Sequence, residues 1–97
     1  MIDHINCWAF QVSRVSCHKF DDDRYFLFDK LSGRTHLINE FCMNALSILQ
    51  QGCLSAESLL TALSEENGFF IDEEWVIYID NMLTDLDEQG LIEPSTL

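Results

Sequence analysis

The sequence predicts an α+β fold in which short strands come first and three helices follow. Three observations predict it. Arg24–Glu40 holds two runs of aromatic and branched apolar residues on either side of a Gly-bearing loop. Beyond Glu40, apolar residues recur at helical spacing. Three such stretches are each followed by a glycine, Gly52, Gly68 and Gly90.

Met1–Asn6 reads as a loose lead-in. Cys7–Arg14 places Trp8, Phe10 and Val12 at period two, which suggests a strand or an extended arm on the core. Val15–Phe20 continues as a second strand, and Asp21-Asp-Asp23 reads as an exposed turn. A hairpin comes next, with strands at Tyr25–Phe28 and Thr35–Ile38. Gly33 supplies the positive φ of its Lys30–Gly33 loop. Tyr25–Phe28 is apolar at every position, so both faces of that strand want cover.

Asn39 is a good N-cap for a helix over Glu40–Gln51, with Phe41, Ala45, Leu46, Ile48 and Leu49 as its apolar stripe. Ser55 caps a second helix that turns Leu59, Leu60 and Leu63 inward, and Asp72 caps a third. On the third helix Val76, Ile79, Leu83 and Leu86 share one stripe, expected in the core, and Trp75, Tyr78 and Met82 form a second beside it. That second stripe is either extra core or one wall of a groove. Leu91-Ile92 is expected to add an extended stub, with Pro94 and the polar tail unstructured.

A chain of 97 residues with 47% hydrophobic content suits one globular domain, here expected to span 1–97 with loose ends at about 1–6 and 94–97. No apolar run approaches the roughly 20 residues of a membrane helix, and the N-terminus lacks the pattern of a secretory signal. The expected location is therefore cytoplasmic. Cys7, Cys17, Cys42 and Cys53 contain no C-x-x-C pair and are expected as reduced, buried hydrophobes, with two disulfides the alternative.

The net charge is −12, and it is unevenly placed. All five basic residues, Arg14, Lys19, Arg24, Lys30 and Arg34, lie between positions 14 and 34. Phe41–Leu97 has no Lys or Arg, so that half is uniformly negative and repels polyanions. A winged-helix DNA reader needs bases on its recognition helix, yet Asp72–Gln89 carries seven acids and no base.

Catalytic and metal signals are weak. His4, Cys7, Cys17 and His18 do not have a zinc spacing, and Asp21–Asp23 lacks the Gly and distal Glu of a calcium loop. No nucleophile–base set or phosphate loop is present. No enzyme activity, cofactor or metal is expected. His36 reads either as a ligand contact or as a half-buried strand histidine bonded to a neighbour.

The order of these features resembles the PqqD-like family. The resemblance rests on the early Trp8, the aromatic strand, and the segment Ser32-Gly33-Arg-Thr-His36-Leu-Ile-Asn39. It extends through Leu54-Ser-Ala-Glu-Ser-Leu59 to the ending Leu86-Asp-Glu-Gln-Gly-Leu-Ile-Glu93, and so covers about Trp8–Glu93. The chain looks most like the PqqD-type peptide chaperones found beside HPr-kinase-related proteins in bacterial gene clusters.

The family implies a winged-helix-like fold of three N-terminal strands followed by three helices. It also implies capture of the leader segment of a ribosomally made precursor peptide and its presentation to a peptide-modifying enzyme. The peptide adds along the third strand and packs on the third helix. Carried onto this chain, the backbone partners are Arg34, Thr35, His36, Leu37 and Ile38. The wall is Trp75, Tyr78 and Met82, with Ile79 adjoining. Arg34 and Asp85 are expected as rim contacts. The expected partners are thus the precursor peptide and the enzyme, with no nucleic acid and no membrane. A homodimer through the open edge is a further expectation. The competing reading is a protein–protein docking subunit without a chaperone role, and a DNA-binding regulator stands behind it.

Overall fold

The computed structural model describes residues 7–95, so the expected loose lead-in at Met1–Asn6 lies outside the described residues, as do positions 96–97. The fold is α+β, with strands leading into three helices in a winged-helix-like arrangement. The elements run β1 (Cys7–Phe10), a 3-10 turn (Val12–Arg14), β2 (Val15–Lys19), β3 (Arg24–Asp29), β4 (Thr35–Asn39), α1 (Glu40–Gln51), α2 (Ala56–Asn67), α3 (Glu73–Glu88) and β5 (Ile92–Ser95).

The hairpin forms where its turn chemistry directs. Gly33 takes φ 76° and returns its N–H to the Asp29 carbonyl at 2.8 Å. β2, β3 and β4 make one antiparallel sheet in that order, with Leu27 opposite both Cys17 and His36. Opposed residues point to the same face, so one face of this sheet carries Leu27, Asp29 and Ile38, all buried. The other face carries Phe28 and Leu37, which remain exposed. The expectation that both faces of this strand would be covered therefore fails: the helices cover only one.

A second, two-stranded ribbon pairs β1 with β5 antiparallel, Trp8 opposite Pro94 and Phe10 opposite Ile92. Pro94 is thus part of a strand, not of an unstructured tail. The period-two reading of the N-terminal segment holds for Cys7–Phe10 and ends there, where the 3-10 turn takes over. The ribbon is fixed to the α1–α2 loop by paired backbone bonds, Trp8 N–H to Leu54 O at 2.7 Å and the reverse at 3.2 Å. A disulfide joins Cys7 to Cys53 beside them. This corrects the expectation of four reduced, buried thiols: Cys17 and Cys42 are free, and Cys42 is buried but Cys17, on the β2 strand, is exposed.

Each helix starts on the cap its sequence supplies. Asn39 accepts from the Cys42 N–H at 2.8 Å, Ser55 from Ser58 N–H at 3.0 Å, and Asp72 from Trp75 N–H at 3.0 Å. The core forms where the three helices meet the sheet and ribbon: Leu27, Ala45, Leu46, Leu49, Leu59, Leu63, Ile79, Leu83 and Ile92 are almost fully buried. Val76, expected among them, is 44% exposed instead. A helical wheel gives the angle between residues but not how deeply each is covered: Val76 lies at the open groove between α2 and α3, while Ile79 is closed over.

Asp29 is a buried carboxylate, with 2% of its side chain exposed. It accepts from the Leu31 N–H at 3.0 Å and faces Arg14 Nη2 at 3.4 Å, while Arg14 also donates to the Gly90 carbonyl at 3.3 Å. One cation thus links β3 to the end of α3. Burial pushes the Asp29 carboxyl up, but bonds from the Leu31 and Ser32 backbone N–H groups and the Ser32 hydroxyl, with the Arg14 charge, outweigh it. The group is held below the usual carboxylate range. A depressed folded-state value contributes stability that is fully present above the unfolded value of about 3.9 and lost as pH falls through the folded one. The urea midpoint is therefore expected to fall with acidification below about pH 4, with a shallower fall in Asp29→Asn. An unchanged slope in that variant would place the acid sensitivity elsewhere.

Candidate functional site

The hairpin sets up the site because β4 is the last strand of its sheet. Among the described residues nothing pairs with its outer edge. The ladder fixes which groups point there. The Arg34 carbonyl accepts from the Asp29 N–H at 2.8 Å, and the Glu40 N–H donates to the Asp23 carbonyl at 2.7 Å. In an antiparallel pair the backbone groups face the partner at every second residue. Between those two contacts, His36 and Ile38 face β3, and Thr35 and Leu37 present their N–H and C=O groups outward.

Beside this edge lies a groove of about 220 Å³ between β4, the start of α1 and the C-terminal half of α3. Leu37, Ile38, Cys42, Tyr78, Met82 and Asp85 line it, with Asn39, Leu86 and Gln89 completing its walls. α3 is held in this position because Ile79 and Leu83 are buried in the core, with Leu86 buried between the core and the groove. Tyr78, 42% exposed, also borders a second depression with Trp75 and Glu74. Behind Tyr78 stands an aromatic stack. Phe69 lies flat on Trp75 with centroids 3.9 Å apart, and Phe41 is 5.5 Å from Trp75 and 5.7 Å from Tyr78. Trp75 is thus half-buried support and Tyr78 the accessible ring.

The sequence-derived candidates divide accordingly. Leu37, Ile38, Tyr78 and Met82 come together in the groove, and Trp75 adjoins through Tyr78. Ile79 does not: it is 1% exposed and faces α2. Arg34 and Thr35 are exposed at the entrance to the strand. The Nε2 atom of His36 is buried with no hydrogen-bond partner among the described residues, so the neighbour bond expected of a strand histidine is missing. Phe69 and Cys42 were not singled out from the sequence for this site. Phe69 follows the second helix in a Phe-Phe pair with no period to place it, and Cys42 gives no signal beyond its position in the first turn of α1.

Polar chemistry in the groove is limited. Asp85 supplies a negative rim, and α3 adds acids along its length without a compensating base. Burial pushes the Cys42 thiol up to about 11, so at neutral pH it is a protonated packing group, not a nucleophile. The arrangement offers main-chain donors and acceptors on one side and an aromatic and thioether wall on the other. That suits an extended chain with alternating apolar side chains.

No protein-family model matches the sequence, and no curated protein matches it. The fold is similar to that of the solved structure "TbiB1 in Complex with the TbiA(beta) Leader Peptide". The superposition has a TM-score of 0.68 at 18% identity and covers 92% of this chain and 99% of that one. At that identity the likeness is one of fold.

Proposed function

We propose that this chain is a leader-peptide recognition domain of the PqqD-like kind. It captures the leader segment of a ribosomally synthesised precursor peptide as an added strand on β4 and presents it to a peptide-modifying enzyme. The observation that carries the reading is the placement of the unpaired Thr35 and Leu37 backbone groups beside the apolar groove of α3. Main-chain bonds to an edge give affinity with little sequence demand, and flanking pockets select side chains. The similarity in fold to TbiB1, whose solved structure holds a leader peptide, supports the same reading. The acidic α3 argues against a nucleic-acid ligand.

Selectivity follows from the wall. Tyr78 and Met82 favour apolar residues two apart on the guest, and Asp85 favours a Lys or Arg at the rim, worth less than about 1 kcal/mol. The test is a titration of the ¹⁵N-labelled chain with leader peptides encoded beside its gene. Shifts are expected at Thr35, Leu37, Tyr78 and Met82. No shift with any such peptide would favour the plain docking-subunit reading. Tyr78→Ala removes the accessible ring and is expected to weaken binding about tenfold, in line with a buried aromatic anchor worth about 1–2 kcal/mol. Fluorescence anisotropy with a labelled leader peptide measures it.

A further inference from the structure

We propose that α3 carries a second docking surface on the flank facing α2, and that its occupant is a basic amphipathic helix of a partner protein. A groove of about 310 Å³ runs between these two helices, with Leu60, Ile71, Val76 and Ile79 on its floor and walls. Its apolar lining is continuous with side chains that reach solvent. Ile71 and Val76 are both exposed, as is Ile77 on the next position of α3, and Phe70 is 94% exposed. Packing does not explain them, since the core closes beneath at Ile79, Leu60 and Leu63. An apolar trough of this width between two helices fits the apolar face of a third, read as anchors at i, i+3, i+4 and i+7.

Charge selects the occupant. Glu57 and Asp80 line the groove itself. Glu73 and Asp87 lie on the same row of α3 as Ile77 and Asp80, at spacings of three and four. No Lys or Arg occurs anywhere in Phe41–Leu97. A helix with Leu-type anchors flanked by Lys or Arg neutralises this rim. A nucleic acid or an anionic lipid surface is repelled. A second copy of this chain is also a poor fit, because its net charge is −12 and its five bases, Arg14, Lys19, Arg24, Lys30 and Arg34, all precede its helices. Because Tyr78 and Met82 project to the other flank, this helix docks without covering the β4 groove.

The test titrates the full ¹⁵N-labelled chain with a synthetic peptide of about four helical turns. One face of the probe is Leu and the other Lys, and a twin with Glu in place of Lys serves as control. Saturable shifts are expected at Leu60, Ile71, Val76 and Asp80, with Thr35 and Leu37 unmoved, and the Glu twin is expected not to bind. Val76→Lys is expected to weaken the Lys peptide at least tenfold while leaving leader-peptide binding intact. Both Val76 and Ile71 are exposed, so Ile71→Lys serves as a second folded variant. Four outcomes overturn the proposal: no saturable binding, equal binding of the twin, shifts centred on β4, or insensitivity to both substitutions. A dimer in sedimentation that Val76→Lys dissolves also overturns it, and assigns the surface to self-association.

Discussion

Leu37→Pro is expected to weaken leader-peptide binding by thirtyfold or more while leaving the chain folded. The separation of those two effects follows from the ladder. The Leu37 N–H points to the open edge, so its removal breaks no bond within the sheet, and edge positions are where strands tolerate proline. His36, the residue before it, is already extended, as a residue preceding proline prefers. For the guest strand the change is severe. The carbonyl that would accept from Leu37 is left buried and unpaired, at about 1–3 kcal/mol, and the ring stands where the guest backbone must approach. About 2 kcal/mol corresponds to thirtyfold. His36→Pro makes the complementary comparison, because its N–H faces β3, and that variant is expected to lose thermal stability. Anisotropy for binding and a thermal melt for folding check both. A well-folded Leu37→Pro chain with undiminished affinity would falsify strand addition, and with it the use of β4 as the capture edge.

What could be read in the sequence is what local chemistry decides. The hairpin was legible because Gly33 and the flanking aromatic runs fix a turn within a few residues. The three helix starts were legible because Asn39, Ser55 and Asp72 each bond a backbone group three positions on. The groove was half legible. β4 could be named from its motif, and Tyr78 and Met82 from the wheel. The wheel put Ile79 and Val76 together in the core stripe: Ile79 is buried there, so adding it to the peptide wall was the error, and Val76 is exposed. Periodicity fixes angles around α3, and only the packing of the neighbouring elements decides which positions on an apolar stripe are covered. The ribbon was the least legible part. β1 and β5 lie at opposite ends of the chain, and nothing local in Cys7 or Pro94 announces the strand opposite. The Cys7–Cys53 bond has a sequence separation of 46 residues, so spacing rules had no hold on it.

Cys53→Ser is expected to lower stability by about 4 kcal/mol, through the unfolded state more than the folded one. A bond closing a 46-residue loop restricts the denatured chain by roughly that amount on the loop-closure estimate. For a domain of 97 residues it corresponds to a fall in Tm of about 20 °C. The folded state has reason to depend on this tie. A two-stranded ribbon is marginal alone, and β1 is only four residues long. Beyond the bond, the ribbon is attached to the α1–α2 loop by the two Trp8–Leu54 backbone bonds and the burial of Phe10 and Ile92. Cys53 is the better position to change because it is half-buried, whereas a hydroxyl at the fully buried Cys7 would add a desolvation cost of its own. None of the residues lining the β4–α3 groove belongs to the ribbon or to that loop. Peptide affinity of the folded chain is therefore expected to stay unchanged well below the lowered Tm. Thermal melts of the oxidised chain, the reduced chain and Cys53→Ser, each followed by a peptide titration, check this. Melts that coincide with the oxidised chain would show that the crosslink does not restrain the unfolded state. A loss of affinity in the folded variant would show that the ribbon shapes the groove from a distance.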